Sequence, residues 1–144
     1  MNKRNKLKRS GKNSEIDSAR IDIRNAIALA AEVVPIKSAK TLVAVAGTAT
    51  TVAAAALNLE KYDSELIHLA KISAKETRRV SDWLLTLTRQ ERSDLGYMHL
   101  GRVDVIAAGS LVLAEIIEAT GLTNFIASEN DILDGMVWSM LNAQ

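Results

Sequence analysis

The sequence predicts an α/β domain, rich in helix, with a narrow sheet of two or three strands. Three observations carry this. Apolar residues recur at helical spacing from Ile16 to Val34. Leu42 to Ala46 is apolar at every position and runs straight into a glycine-containing turn and an alanine-rich segment. A long, almost wholly apolar helical pattern then lies between Gly101 and Thr120. With 144 residues, 48% of them hydrophobic and 24% charged, the chain holds one domain's worth of polypeptide and enough apolar matter for a core. The absence of cysteine excludes disulfides, thiolate metal sites and Cys nucleophiles, and suits a cytoplasmic setting. Aromatics at 3% are too few for a stacked-ring platform that grips single-stranded nucleic acid.

Lys3, Arg4, Lys6, Lys8, Arg9 and Lys12 precede the first acid, Glu15, and the remaining 12 basic residues face 17 acidic ones. Residues 1–13 therefore read as a basic, disordered tail on a mildly acidic domain spanning 14–144. Such a tail is either a solvated terminus or a contact for polyanions. Ser14-Glu15-Ile16-Asp17 has the form of a capping box, so the first helix is expected to open there. Its apolar positions, Ile16, Ala19, Ile23, Ala26, Ile27, Ala30 and Val34, form one buried stripe, and Pro35 stops it.

Leu42–Ala46 is expected to be a strand covered on both faces, ended by Gly47-Thr48, with a helix from about Ala49 to Leu57. Thr41 to Leu59 is 19 residues without a charge, but its threonines, Gly47, Asn58 and many alanines make it a poor membrane span. Leu66–Ile72 alternates as a strand does, with a helical turn as the alternative. Ser73 and Thr88 open two further capped helices, the second closed by Gly96. Gly101–Thr120 is the buried central helix. Gly109 within it allows close approach of a backbone or ligand, and Gly121 caps it. Thr123–Ala127 reads as a strand. Ser128 to Asp131 caps a last helix whose Ile132, Met136, Val137 and Met140 face inward. So few strands leave exposed edges, so the sheet reads as part of a larger one.

His68 and His99 have no partner at metal-ligand spacing, and GxGxxG, GxxxxGK[ST] and GxSxG are all absent. Glu115 and Glu118 read as a solvated helix face rather than an acid/base pair. Two positive signals remain. Gly47-Thr48-Ala49-Thr50-Thr51 sets a glycine and three hydroxyls where a buried strand meets a helix N-terminus, an arrangement suited to an anion, or a simple cap by Thr48. Arg102 sits in the first turn of the long helix, where the dipole favours acids. It is thus aimed at a carboxylate or phosphate, or paired with Asp104.

Leu42 through Thr51, Tyr62-Asp63 with Ile67-His68, Gly101 through Ile106 with Ala108-Gly109, and Ser128 through Gly135 together resemble the exopolyphosphatase and guanosine pentaphosphate phosphohydrolase (Ppx/GppA) family. That resemblance covers nearly everything from residue 15 onward. It implies part of a ribonuclease-H-like lobe of the actin-like ATPase fold, and a hydrolase that removes terminal phosphate from polyphosphate or pppGpp, with Mg²⁺ assisting a water nucleophile. It implies a substrate-binding role for Gly47, Thr48 and Arg102. The family's first phosphate loop, its catalytic glutamate and its Asp-Gly-Gly-Gly-Ser motif have no counterparts before Thr41, and Ala44 stands where the family often has glycine. The expectation is the C-terminal half of a lobe, truncated or split. It carries no catalytic residue or Mg²⁺ ligand and is inactive alone unless a second chain or a further copy completes it. The alternative is a non-catalytic module that binds phosphate chains.

Overall fold

The computed structural model describes residues 3–142, with side chains described from Asn13 onward. Helix α1 (Lys3–Val33) leads to a 3-10 turn at Ile36–Ser38, strand β1 (Val43–Val45) and helix α2 (Ala46–Ala56). The short α3 (Ser64–Ile67), β2 (Lys71–Ser73), α4 (Ala74–Thr86) and α5 (Arg89–Ser93) follow. A 3-10 turn at Leu100–Arg102, α6 (Ile106–Thr120), β3 (Asn124–Ser128) and α7 (Ile132–Leu141) complete the order.

The helix-rich α/β expectation with a narrow sheet holds. The sheet runs β1-β3-β2, β1 parallel to β3 with Val45 opposite Ser128, β2 antiparallel with Ile72 opposite Phe125. The face bearing Ile72, Phe125 and Ala127 packs on helices, with Val52, Ala53, Ile67, Val80, Leu84, Ile106 and Ile117 in the core. The small side chains of α2 let that helix lie close to its neighbours; Ala53 and Ala54 are fully buried. The opposite face is open, so Val43 and Val45 are 53% and 48% exposed, and the expectation that β1 is covered on both faces is corrected.

Local hydrogen-bond chemistry explains where most elements begin. Ser73 accepts from the Glu76 amide to open α4, Thr88 and Glu91 form a reciprocal capping box at α5, and Gly121 ends α6 in the left-handed conformation at φ 73°. The strand-or-helix segment resolves as both. Asp63 accepts from the Glu65 and Leu66 amides and nucleates α3, Leu69 turns the chain at φ 61°, and β2 begins only at Lys71.

Three elements depart from the sequence pattern. Helix α1 runs through Ser14 without opening there, and the side chains of the basic segment 1–12 lie outside the described residues. Its stripe is shallower than expected: Ile16, Ala19, Ile23 and Ile27 are half-buried, and Ala26, Ala30 and Val34 exposed, because α1 rests on the outside of α6. In α7 the residues expected inward stand out, with Ile132 and Met140 more than 70% exposed, because nothing in the described chain lies over that helix. No helix among the described residues is long and apolar enough to cross a membrane.

A tightly built contact lies between α2 and α6. An ideal Cβ on Gly109 would stand 2.9 Å from the Thr48 hydroxyl and 3.0 Å from its methyl, so the close approach expected at Gly109 is to a side chain. Gly109→Ala is expected to cost about 1–3 kcal/mol through this overpacking, read as a lowered urea midpoint with an unchanged slope.

Candidate functional site

Strands β1 and β3 are parallel and end together, and ligands of open α/β sheets collect outside such carboxyl ends. The chain leaves β1 abruptly. Val45 is extended, Ala46 takes φ 66°, and α2 is under way by Gly47. A left-handed alanine costs about 1–2 kcal/mol, a strain of the kind that collects at functional junctions. The tight turn expected of Gly47 is thus made by Ala46, and the missing side chain of Gly47 serves another purpose. An ideal Cβ there would fall on the Arg102 guanidinium, so the arginine lies directly against the helix backbone.

Arg102 is not in the first turn of the long helix, as its sequence position suggests. His99 Nδ1 accepts from the Gly101 amide and the His99 carbonyl accepts from the Arg102 amide, closing a separate 3-10 turn before α6 starts at Ile106. Asp104 does not neutralise Arg102; it pairs with Arg89 at 2.8 Å. Among the described residues Arg102 makes no ion pair, and its one side-chain hydrogen bond is a long one, 3.5 Å to the Thr51 hydroxyl. Among the described residues no side chain caps α2, whose first amides are left without intrahelical partners. An unpaired guanidinium beside an uncapped helix N-terminus is an arrangement that suits an anion. The structure brings Gly47 and Arg102 together, while Thr48, one residue on, sets its side chain against Gly109.

Two members escaped the sequence reading. Tyr62 donates to Glu129 Oε1 at 2.6 Å, and the Glu129 amide donates to His68 Nδ1 at 3.2 Å, tying the loop after α2 and the segment before β2 to the end of β3. Burial pushes the Tyr62 phenol up from its ordinary value, and the bond to Glu129 adds to this; Thr50 and the Arg102 charge act the other way. The phenol therefore stays a donor and stands within the field of Arg102. Its signal lay only in the Tyr62-Asp63 block, whose pairing across 67 residues no local pattern shows.

No three His, Asp or Glu side chains among the described residues converge where they would share a metal ion. The nearby carboxylates each accept within the chain and stand singly. Glu129 accepts from Tyr62, Asp131 from the Leu133 amide and Asp63 from the first amides of α3. Set apart in this way, they do not fit Mg²⁺, which takes several carboxylate, phosphate and water oxygens in near-octahedral order. The site is also an open wall: a cleft of about 630 Å³ lies elsewhere, between α1 and α4, lined by Asp17, Arg20 and Asp82 among others.

The second charged cluster is structural. Glu115, expected on a solvated face, has a side chain only 1% exposed and accepts from Arg20 (2.9 Å), Arg24 (2.7 Å) and Arg78 (2.9 Å). Arg78 also pairs with Glu118, and Arg20 with Asp82 at 2.8 Å.

The Ppx/GppA phosphatase family matches over residues 7–144. Exopolyphosphatase 2 of Mycobacterium tuberculosis is 37% identical over 130 residues, 88% of this chain and 41% of that protein. The bifunctional 3-dehydroquinate synthase/phosphatase of Fusobacterium nucleatum is 38% identical over 97 residues, 67% of this chain and 14% of its own length. Among solved structures, an exopolyphosphatase-like protein superposes with a TM-score of 0.82 at 32% identity over 88% of this chain and 42% of its own. An Aquifex aeolicus Ppx/GppA family member superposes at 0.78 with 20% identity, a likeness of fold, over 91% and 42%. The chain thus spans about two-fifths of the length of Exopolyphosphatase 2 and of these two structures, and it has the fold of part of their actin-like, ribonuclease-H-like lobes.

Proposed function

The chain belongs to the Ppx/GppA phosphatase family, and from that premise we propose that it forms a phosphate-gripping wall of a phosphoanhydride hydrolase. The observation that carries the reading is the Arg102 guanidinium, without an ion-pair partner among the described residues, laid on Gly47 at the start of α2, which no described side chain caps. Arg102 supplies a bidentate cation for a phosphate oxygen pair, the α2 amides supply neutral donors, and Tyr62 borders the same space. Gly47, Thr48 and Arg102 are the binding residues of this proposal, Thr48 by holding the start of α2 against α6. The substrate class is a linear phosphate chain, free or carried on guanosine. The attack on phosphorus calls for a base and metal-binding carboxylates, and among the described residues no such cluster of carboxylates converges at this wall. In this reading the chain alone binds without turnover, in a cytoplasmic setting, and hydrolysis requires a complementing polypeptide or a second copy. The open side chains of Val43 and Val45 and the apolar surface of α7 are what such a completion would cover.

Calorimetric titration with inorganic tripolyphosphate tests this. Hydrogen bonds to charged groups contribute about 1.5–3 kcal/mol, so Arg102→Ala is expected to weaken binding by about 10- to 150-fold, with strong salt dependence in the parent chain. Phosphate release by the chain alone is expected to match that of Arg102→Ala. Release above that control would overturn the inactive reading, and binding indifferent to Arg102 would overturn the site. Steady binding with no turnover even after the remaining part of a family relative is added would favour a non-catalytic phosphate-chain module.

A further inference from the structure

A carboxylate is an unexpected neighbour for a polyanion, yet Glu129 follows Ser128, which stands opposite Val45 at the carboxyl ends of β3 and β1, two residues before Gly47 and the Arg102 laid on it. The phenol gives its only proton to Glu129 Oε1, and among the described residues no ion pair joins Glu129 to Arg102. Among the described residues the second Glu129 oxygen takes no hydrogen bond, and the backbone of Glu129 is fixed by His68. The wall therefore offers one cation, one acceptor-only carboxylate and a phenol oxygen whose donor is committed. An anion that bridged Arg102 and Glu129 would meet a cation on one side and acceptors on the other. Sulfate, fully ionised, presents only acceptors to them. A phosphate whose last proton leaves near neutral pH, about 6 for a monoester, presents a charged oxygen to Arg102 and a P–O–H donor to Glu129.

We propose that Glu129 is a specificity-determining residue that selects a protonated terminal phosphate over sulfate and over the fully substituted interior phosphates of a chain. The inference rests on the reading of Arg102 as the phosphate ligand, and it assigns the register in which a chain is held. The end group lies between Arg102 and Glu129, and the interior groups, which have no proton to offer at neutral pH, are turned away from the acid. No bond is made or broken; one hydrogen bond from P–O–H to a Glu129 oxygen is the recognition event, and the proton stays on the phosphate.

The test is competitive binding of inorganic phosphate and of sulfate to the full chain at pH 7. The parent chain is expected to prefer phosphate by at least about tenfold, the worth of one hydrogen bond to a charged group. Glu129→Gln removes the charge and keeps the shape; it is expected to raise sulfate affinity and bring the ratio to within about threefold, the remaining difference being that of a neutral acceptor. Tyr62→Phe is the control that leaves the carboxylate in place and frees its Oε1, so the phosphate preference is expected to hold or grow. A phosphate-to-sulfate ratio unchanged by Glu129→Gln, or abolished equally by Tyr62→Phe, overturns the inference while Arg102-dependent phosphate binding leaves the site standing. Phosphate binding that Arg102→Ala does not alter overturns both.

Discussion

Glu115→Ala is expected to cost about 3 kcal/mol of folding stability, because it removes the one buried acid of the cluster and leaves Arg20 and Arg78 only the more than half-exposed Asp82 and Glu118 as partners among the described residues. Arg20 and Arg78 have side chains only 21% and 26% exposed, and without Glu115 they face each other across α1, α4 and α6 as like charges. Arg24, more than half exposed, regains water and adds little to the loss. The effect should be largest at α1, in which no described residue is buried; its amides are expected to lose hydrogen-exchange protection before those of α4 and α6. The same cluster sets an acid limit. Burial pushes the Glu115 carboxyl up, and the hydrogen bonds from Arg24, Arg78 and Arg20 outweigh burial and hold it below the usual carboxylate range. A carboxyl depressed in the folded state contributes its full stabilisation above the unfolded value, about 4.3, and loses it as pH falls toward the lower folded value. Urea melts of the parent and of Glu115→Gln should therefore differ most at neutral pH and converge as pH drops below about 4. Curves that stay parallel down to pH 3 would show that the carboxylate charge is not what holds α1.

That cluster also shows where the sequence stops being readable. The elements whose ends are set by neighbours in the chain were legible: the Thr88–Glu91 box, the Ser73 cap, the glycine at 121 and the halt at Pro35 are all local hydrogen-bond or steric events. Ser14 carries the same local signature and fails, because an Ncap motif does not act when helix continues on its N-terminal side. Burial was legible only where an element is enclosed. The period of α7 is as apolar as that of α6, but period says which face would be buried and not whether anything lies against it. Glu115 had a signal, a single acid within Leu111–Ile117, in a helix apolar nearly all round. Such a charge is either a break in the buried face or a paired group, and the arginine partners 37, 91 and 95 residues away could not be read from spacing. The candidate site divides in the same way. Gly47 and Arg102 were found because glycine and arginine are costly residues at their places, whereas the Tyr62–Glu129 pair consists of ordinary loop residues until the fold joins them.

Gly47→Ala is expected to separate the site from the fold more cleanly than any change to a charged residue. The backbone of Gly47 lies outside the left-handed region, so alanine is allowed there, and in a helix it is favoured over glycine by up to about 1 kcal/mol. The atoms that a Cβ would meet are the far end of the Arg102 side chain, which can swing into solvent at little cost. Thermal stability should thus hold or rise slightly. The guanidinium, however, can no longer lie against the start of α2, and the two donors are no longer aimed at one phosphate. Tripolyphosphate binding is expected to fall to the level of Arg102→Ala, a loss of about 10- to 150-fold. Because both changes remove the same interaction, the double variant Gly47→Ala/Arg102→Ala should bind no more weakly than either single one. Additive losses would mean that a Cβ at position 47 obstructs the ligand itself and not only the arginine, and undiminished binding in Gly47→Ala would mean that Arg102 grips its ligand from some other position.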